Sequence, residues 1–323
     1  MRILVLGGTK FVGRALVAQA LADGHVVTLF HRGQTNPGLF PEAEHVLGDR
    51  DCGLDPLAGR QFDACIDVSG YVPRVVRQSA ELLRDAVAAY VYVSTISVYA
   101  DLSEPRDEDG PLAVLEDETA EEITGESYGA LKAQCERVVA EMYGDRCAIV
   151  RPTFVVGPHD HTGRFSWWVH RGARGGDVLV PDSSAWRIQL IDVRDLARFL
   201  LLAAADRSLT GAYNAVGPQV EVGLVDVIED AASLAGSEIR PVVVADAFLV
   251  ARGVSTAELP FWIPEPEATA WASTSGARAI SAGLVHTPVV ETVHATLDGT
   301  QVVEGVGLTP ERERELLAAW RSE

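Results

Sequence analysis

Lysine is almost missing from this chain of 323 residues: of its 27 basic residues only Lys10 and Lys132 are lysine, and the rest are arginine. Positive charge is scarce altogether. The 46 acidic residues leave a formal net charge of −19, which repels phosphate backbones and anionic lipids and speaks against nucleic acid or membrane as partners. No apolar run reaches the roughly 18 residues that a bilayer span needs. The N-terminal apolar run meets a glycine turn at Gly7-Gly8, too early for a signal-peptide core. The four cysteines (Cys52, Cys65, Cys135 and Cys147) form no C-x-x-C pair, so a cytoplasmic, reducing location is expected. With 47% hydrophobic and 23% charged residues, disordered, collagen-like and coiled-coil compositions are excluded. The length suffices to bury a full core without disulfides or metals.

The first half alternates short apolar runs with helical patterns. Strands are predicted at Ile3–Leu6, His25–Phe30, Glu44–Leu47, Ala64–Val68 and Tyr90–Ser94, and helices at Phe11–Ala22, Pro73–Ala89 and Ser127–Tyr143. Such alternation predicts an α/β fold with a doubly wound parallel sheet, a Rossmann domain. The second half predicts strands at Ala148–Val156, Trp186–Val193, Tyr213–Val216 and Pro241–Val244, helices at Asp195–Ala204 and Val222–Ala235, and an aromatic loop over Phe261–Pro266. The expected division is 1–157 for the dinucleotide-binding domain and 158–323 mainly for a smaller, interleaved substrate-binding domain, with segments near 186–216 returning to the first. Asp101–Glu126 holds eleven acidic residues against Arg106 alone, and reads as a solvated loop or a lid.

Gly7-Gly8-Thr9-Lys10-Phe11-Val12-Gly13 follows a strand and opens a helix. Glycines in that context let backbone approach a pyrophosphate at a helix N-terminus. An acid about 20 residues on would bind the 2′-hydroxyl of NAD, but the second strand ends Phe30-His31-Arg32. A cation there suits the 2′-phosphate of NADP, with Lys10 as a second positive group, so NADP is expected and NAD is the alternative. An exposed strand-end arginine is the plainer reading of Arg32. Asp49 follows the third strand and is a candidate for the adenine amine or an ordinary turn residue.

Tyr128 and Lys132 stand four apart at a helix start, hence on one face. With 7 tyrosines and two lysines the coincidence is expected about 0.04 times by chance, so the spacing carries information. A neighbouring ammonium stabilises a phenolate and makes tyrosine a usable acid–base for interconverting carbonyl and alcohol. A third group must polarise the substrate oxygen. Thr95, at the end of a strand that closes Ser94-Thr95-Ile96-Ser97, is the first candidate, with Ser94 and Ser97 behind it; a turn or cap role is the alternative.

Together these residues resemble the short-chain dehydrogenase/reductase superfamily in its extended form, which includes nucleotide-sugar epimerases and dehydratases. The resemblance also covers Arg151-Pro152, Gly157-Pro158 and Ile191-Asp192-Val193-Arg194-Asp195-Leu196-Ala197. It implies Tyr128 as acid–base, Lys132 on the nicotinamide ribose and Thr95 on the substrate oxygen. The candidate cofactor set is Gly7, Thr9, Lys10, Phe11, Val12, Gly13, His31, Arg32, Asp49, Arg50, Ser69, Gly70, Ser94, Tyr128 and Lys132. The candidate substrate set is Ser97, His159, Arg164, Phe165 and Trp168, the aromatic members serving equally as core. Lys10 replaces the family's middle glycine, as in an atypical subgroup with uncharacterised bacterial epimerase-like proteins and chloroplast RNA-binding relatives. Ile188 stands where many sugar-nucleotide members carry a diphosphate-binding arginine, with Arg187 one position off on the other strand face. Arg164, Arg171 and Arg174 remain as alternative sources of that charge.

The leading expectation is an NADPH-dependent reductase of a small carbonyl. The alternatives are an epimerase or dehydratase with retained cofactor and a non-catalytic, RNA-associated protein. His159-Asp160-His161 has no third partner for a metal, so no metal is expected. A homodimer through the helices at Pro73–Ala89 and Ser127–Tyr143 is a further expectation from the resemblance.

Overall fold

The computed structural model describes residues 1–101, 106–182, 188–218, 220, 222–263 and 273–323. Its strands are β1 (Arg2–Leu6), β2 (Val26–His31), β3 (Glu44–Leu47), β4 (Phe62–Asp67), β5 (Val87–Val93), β6 (Cys147–Pro152), β7 (Phe154–Val156), β8 (Gly176–Pro181), β9 (Leu190–Asp192), β10 (Gly211–Ala215) and β11 (Ile239–Val244). Its helices are α1 (Phe11–Ala22), α2 (Pro73–Leu83), α3 (Ser127–Tyr143), α4 (Arg164–Arg174), α5 (Val193–Ala205), α6 (Leu224–Ala235), α7 (Asp246–Ala251), α8 (Ala277–Ser281), α9 (Val289–Gly299) and α10 (Pro310–Trp320). The chain forms two compact units. One joins Met1–Val155, Val193–Val216 and Ser273–Val285; the other joins Val156–Asp192, Gly217–Ala272 and His286–Glu323.

The first unit is built on a seven-stranded sheet in the order β10-β6-β5-β4-β1-β2-β3, with every neighbouring pair parallel. Ile3, Leu4, Val5 and Leu6 are fully enclosed, as a strand covered on both faces must be. Leu6 pairs with both Phe30 and Asp67, so β1, β2 and β4 end at one level. The order reverses between β1 and β4, which opens a crevice beyond the strand ends. Val76, Ala80 and Leu83 of α2 join Cys135, Val138 and Val139 of α3 against Leu4, Leu6 and Tyr90. Cutting Leu83 back to alanine would cost about 2–5 kcal/mol here. α1 and α5 form a second helical pair, with α5 resting on β4, β5 and β6.

The expected Pro73–Ala89 helix ends earlier, at Leu83. Val87 and Ala89 instead pair with Phe62 and Ala64, so cross-strand packing overrides the helical pattern. The expected Ala148–Val156 strand breaks at Thr153, whose N–H turns to Ala215 O. Trp186 and Arg187 lie outside the described residues, as do the last three residues of the Phe261–Pro266 loop; β9 is the strand observed within Trp186–Val193. Within the acidic segment, 102–105 lie outside the described residues and most of the remainder is exposed. Glu108 departs from this pattern: it is buried, and its carboxylate accepts from Asn214 N at 2.8 Å.

In the second unit β8 and β11 pair in parallel, and α4 packs on α6. A side chain at Gly172 would strike the Ile228 carbonyl, so glycine permits that helix contact. Among the described residues, no helix is long and apolar enough to cross a membrane.

Candidate functional site

The glycine turn sits at the end of β1 and lets α1 begin there. Gly7 and Gly8 have φ of +108° and +109°, a region that disfavours any residue with a Cβ. A Cβ on Gly13 would lie 2.7 Å from Gly8 Cα, so the third glycine brings the helix against the turn. The α1 N-terminus has no side-chain cap and no acidic residue in its first turn. A helix N-terminus of this kind suits an anion such as a dinucleotide pyrophosphate. Thr9 and Phe11 are buried, Val12 is half-buried and Lys10 is exposed. Asn36 Nδ2 donates to Thr9 O at 3.0 Å, tying the loop after β2 to the turn.

Arg32 is exposed just beyond β2. His31 turns inward. Its Nε2 lies 2.8 Å from His45 Nδ1, and its Nδ1 accepts from Gly33 N at 3.0 Å. Since His45 Nε2 must donate to Phe40 O, both rings fit the neutral form, and burial and the neighbouring His45 push His31 below the usual histidine range. His31 thus anchors the loop and does not face solvent beside Arg32. Asp49 is exposed and its carboxylate accepts from Asp51 N, an ordinary turn contact.

Arg50 is buried. It grips Asp67 at 2.6 and 2.5 Å and gives two further bonds to Ser79 Oγ. Its nitrogens are all engaged by Asp67, Ser79 and Ser69, which gives Arg50 a supporting role here. Asp67 also accepts from Tyr90 Oη and from Ser69 N, and Ser69 Oγ donates to Leu6 O. The pair therefore holds the chain after β4 beneath the glycine turn.

Ser94 is buried at the end of β5, and its Oγ has no hydrogen-bond partner. An orphaned buried hydroxyl at the carboxyl end of a central strand fits a site that takes a polar ligand. Thr95 caps the turn Ile96–Val98: its Oγ1 accepts from Ser97 N and donates to Ser97 Oγ, both at 3.1 Å. Because that donation occupies the Thr95 proton, the hydroxyl proton left to reach onward belongs to the half-buried Ser97. Gly129 is not among the candidate site residues, yet a Cβ on it would collide with Ser97 O. The missing side chain lets the first turn of α3 press on this turn, which sets the half-buried Tyr128 beside it. The signal in the sequence is a glycine in the first turn of a helix, where it costs stability without such a reason.

Lys132 is enclosed on the next turn of α3. Its ammonium donates to Gly70 O at 2.6 Å and Val93 O at 2.7 Å, and it lies 4.2 Å from the Tyr92 ring centroid. Two carbonyls take two of its three protons, and one N–H is left over. Burial lowers its pKa to about 8, against the pull of Cys135, Asp67 and Glu136.

The second unit carries the other candidates. His159 and Arg164 are exposed, whereas Phe165 and Trp168 are fully enclosed and Trp168 Nε1 donates to Pro260 O. These two aromatics fill the core of their unit, so the pocket-lining expectation yields to packing. Ile188 bridges to Val222, and Arg187 lies outside the described residues. Among the described residues, no group of three His, Cys, Asp or Glu is placed to hold a metal.

Comparison with known proteins agrees with this fold. The chain is 27% identical over 235 residues to the chloroplast stem-loop binding protein of 41 kDa b of Arabidopsis thaliana, covering 67% of this chain but only 58% of that protein. Its fold is similar to that of UDP-glucuronic acid 4-epimerase from Bacillus cereus in complex with NAD, with a TM-score of 0.69 and 15% identity over 92% of this chain and 96% of that one. It is also similar to the enzyme WbmH of Bordetella bronchiseptica in complex with NAD+, with a TM-score of 0.67 and 18% identity over 92% and 97% of the two chains. Residues 74–216, which carry Ser94 through Lys132, match the model of the NAD dependent epimerase/dehydratase family.

Proposed function

We infer that this chain is an NAD(P)-dependent enzyme of the epimerase/dehydratase kind that interconverts a secondary alcohol and a carbonyl. The observation that carries the reading is the Lys132 ammonium, held by two carbonyls with one proton to spare, one helical turn from Tyr128. When bound, the nicotinamide cofactor supplies or accepts the hydride. The turn Gly7–Gly13 and the α1 N-terminus would hold its pyrophosphate, and Lys132 and Ser94 would meet its nicotinamide half. Tyr128 moves the proton at the substrate oxygen, and the Lys132 charge favours its phenolate. Ser97, itself receiving a hydrogen bond from Thr95, donates to that same oxygen.

A net NADPH-dependent reductase is the second reading, favoured by Arg32 standing exposed where a 2′-phosphate would lie. Stoichiometry separates the two. Cofactor that stays bound and is unchanged after turnover of a UDP-sugar panel supports the epimerase/dehydratase reading; net consumption of NADPH supports the reductase. Loss of turnover by about 10²-fold or more in Tyr128→Phe is expected in both. Full turnover in that variant would overturn both. The stem-loop binding relative suggests a third, RNA-associated role, which the net charge of −19 opposes. RNA binding that survives about 0.2 M salt would restore it.

A further inference from the structure

Positive charge, scarce overall, gathers in one place in the second unit. A cavity of about 420 Å³ there is lined by Arg171, Arg174, Arg240, Arg314 and Arg321, against the two carboxylates Asp177 and Glu313. Each carboxylate is shared. Glu313 accepts from Arg171 at 2.8 Å and Arg174 at 2.9 Å, and Asp177 accepts from both Arg240 and Arg321. Even with Glu311, which binds Arg314 at 2.8 Å from outside the lining, five guanidiniums face three carboxylates. Guanidiniums brought together without matching anions repel one another, and an incoming anion relieves that repulsion.

We propose that this cavity binds a phosphate-bearing small molecule, a diphosphate or phosphate ester, through Arg174 and Arg314. The inner side is prebuilt. Arg171 is buried and spends its donors on Glu313 and on the carbonyls of Gly175 and Asp177, so it fixes the cavity wall and does not reach for ligand. Arg174 and Arg314 have side chains that are 45% and 73% exposed, so their forks are accessible. Guanidinium forks match phosphate oxygens two at a time, which a lysine ammonium does not. Leu317, Ala318 and Pro310 complete the lining with apolar surface, on which the organic part of an ester can rest. Burial and the charge of Arg171 lower the pKa of Arg174, as uncompensated positive charge should. The proposal does not depend on hydride transfer, because every lining residue belongs to the second unit.

The test is calorimetry with inorganic pyrophosphate and with ADP on the full chain, in the presence of saturating NADP. Arg174→Gln/Arg314→Gln is expected to weaken pyrophosphate binding about tenfold or more, with melting temperature and NADP affinity unchanged. Arg174→Lys/Arg314→Lys should recover only part of it. ADP binding more tightly than pyrophosphate would assign a nucleotide, and equal binding a free diphosphate. Absence of pyrophosphate and ADP binding to the wild type, or binding that the glutamine variant leaves intact, would overturn the proposal. Binding seen only when NADP is left out would belong to the glycine turn and would likewise overturn the proposal.

Discussion

Two buried cations in the first unit are held in opposite ways. Arg50 meets a carboxylate, Asp67, through two bonds and is neutralised. Lys132 meets two carbonyls and keeps its full charge and one N–H. Both lie near the carboxyl ends of β4 and β5. A buried ion pair is a structural clamp, whereas a charge held by peptide dipoles still has work to do on a neighbour. This also gives a physical reason for the near-absence of lysine. A compact ammonium fits between Gly70 O, Val93 O and the Tyr92 ring; the flat fork of arginine does not.

Exchanging the chemistry of the two corners separates them most strongly. Lys132→Met should lower turnover by about 10²–10⁴-fold while the protein remains folded, as read by steady-state rates beside a circular dichroism melt. Asp67→Asn should instead act on stability. It strands the Arg50 charge inside the protein and should cost about 3–5 kcal/mol, measured by denaturant unfolding. If Asp67→Asn left stability intact, Arg50 would not be the clamp described. Gly129→Ala should have a smaller effect. The new methyl group must push α3 off the Ser97 carbonyl, and a displacement of Tyr128 by a fraction of an ångström should lower kcat about tenfold with little change in cofactor affinity.

The same contrast explains what could be read from the chain. Tyr128 and Lys132 were legible because a helix places residues four apart on one face without help from the remainder of the fold. The start of α3 at Ser127 followed from the same local pattern, and β3 from a short apolar run before a glycine. The Arg50–Asp67 clamp joins residues 17 apart on separate elements, and no periodicity announces it. The close approach of Gly129 to Ser97 O is likewise tertiary. Phe165 and Trp168 illustrate the opposite limit: an aromatic cluster reads alike whether it lines a pocket or fills a core, and only enclosure decides. Val87–Ala89 continued a helical pattern but became strand, because a vacant place beside β4 was worth more than two further turns of α2.

The finest distinction between the two cations lies in their response to pH. Burial pulls the Lys132 pKa from 10.5 down to about 8, while Arg50 stays charged throughout. In the unfolded chain the same lysine holds its proton to its ordinary value, so between about 8 and 10.5 the unfolded state binds more protons than the folded one. Stability contributed by this group must therefore rise with pH across that window. Activity must do the reverse, because the charge that favours the Tyr128 phenolate disappears as pH passes about 8. Turnover should consequently fall on an alkaline limb near pH 8 while the melting temperature of the wild type gains on that of Lys132→Met. Rate profiles and paired melts at about pH 7 and about pH 9.5 check both halves. A limb that persists unchanged in Lys132→Arg would place the titrating group elsewhere, and parallel melting curves would mean that the ammonium is not desolvated as its enclosure requires.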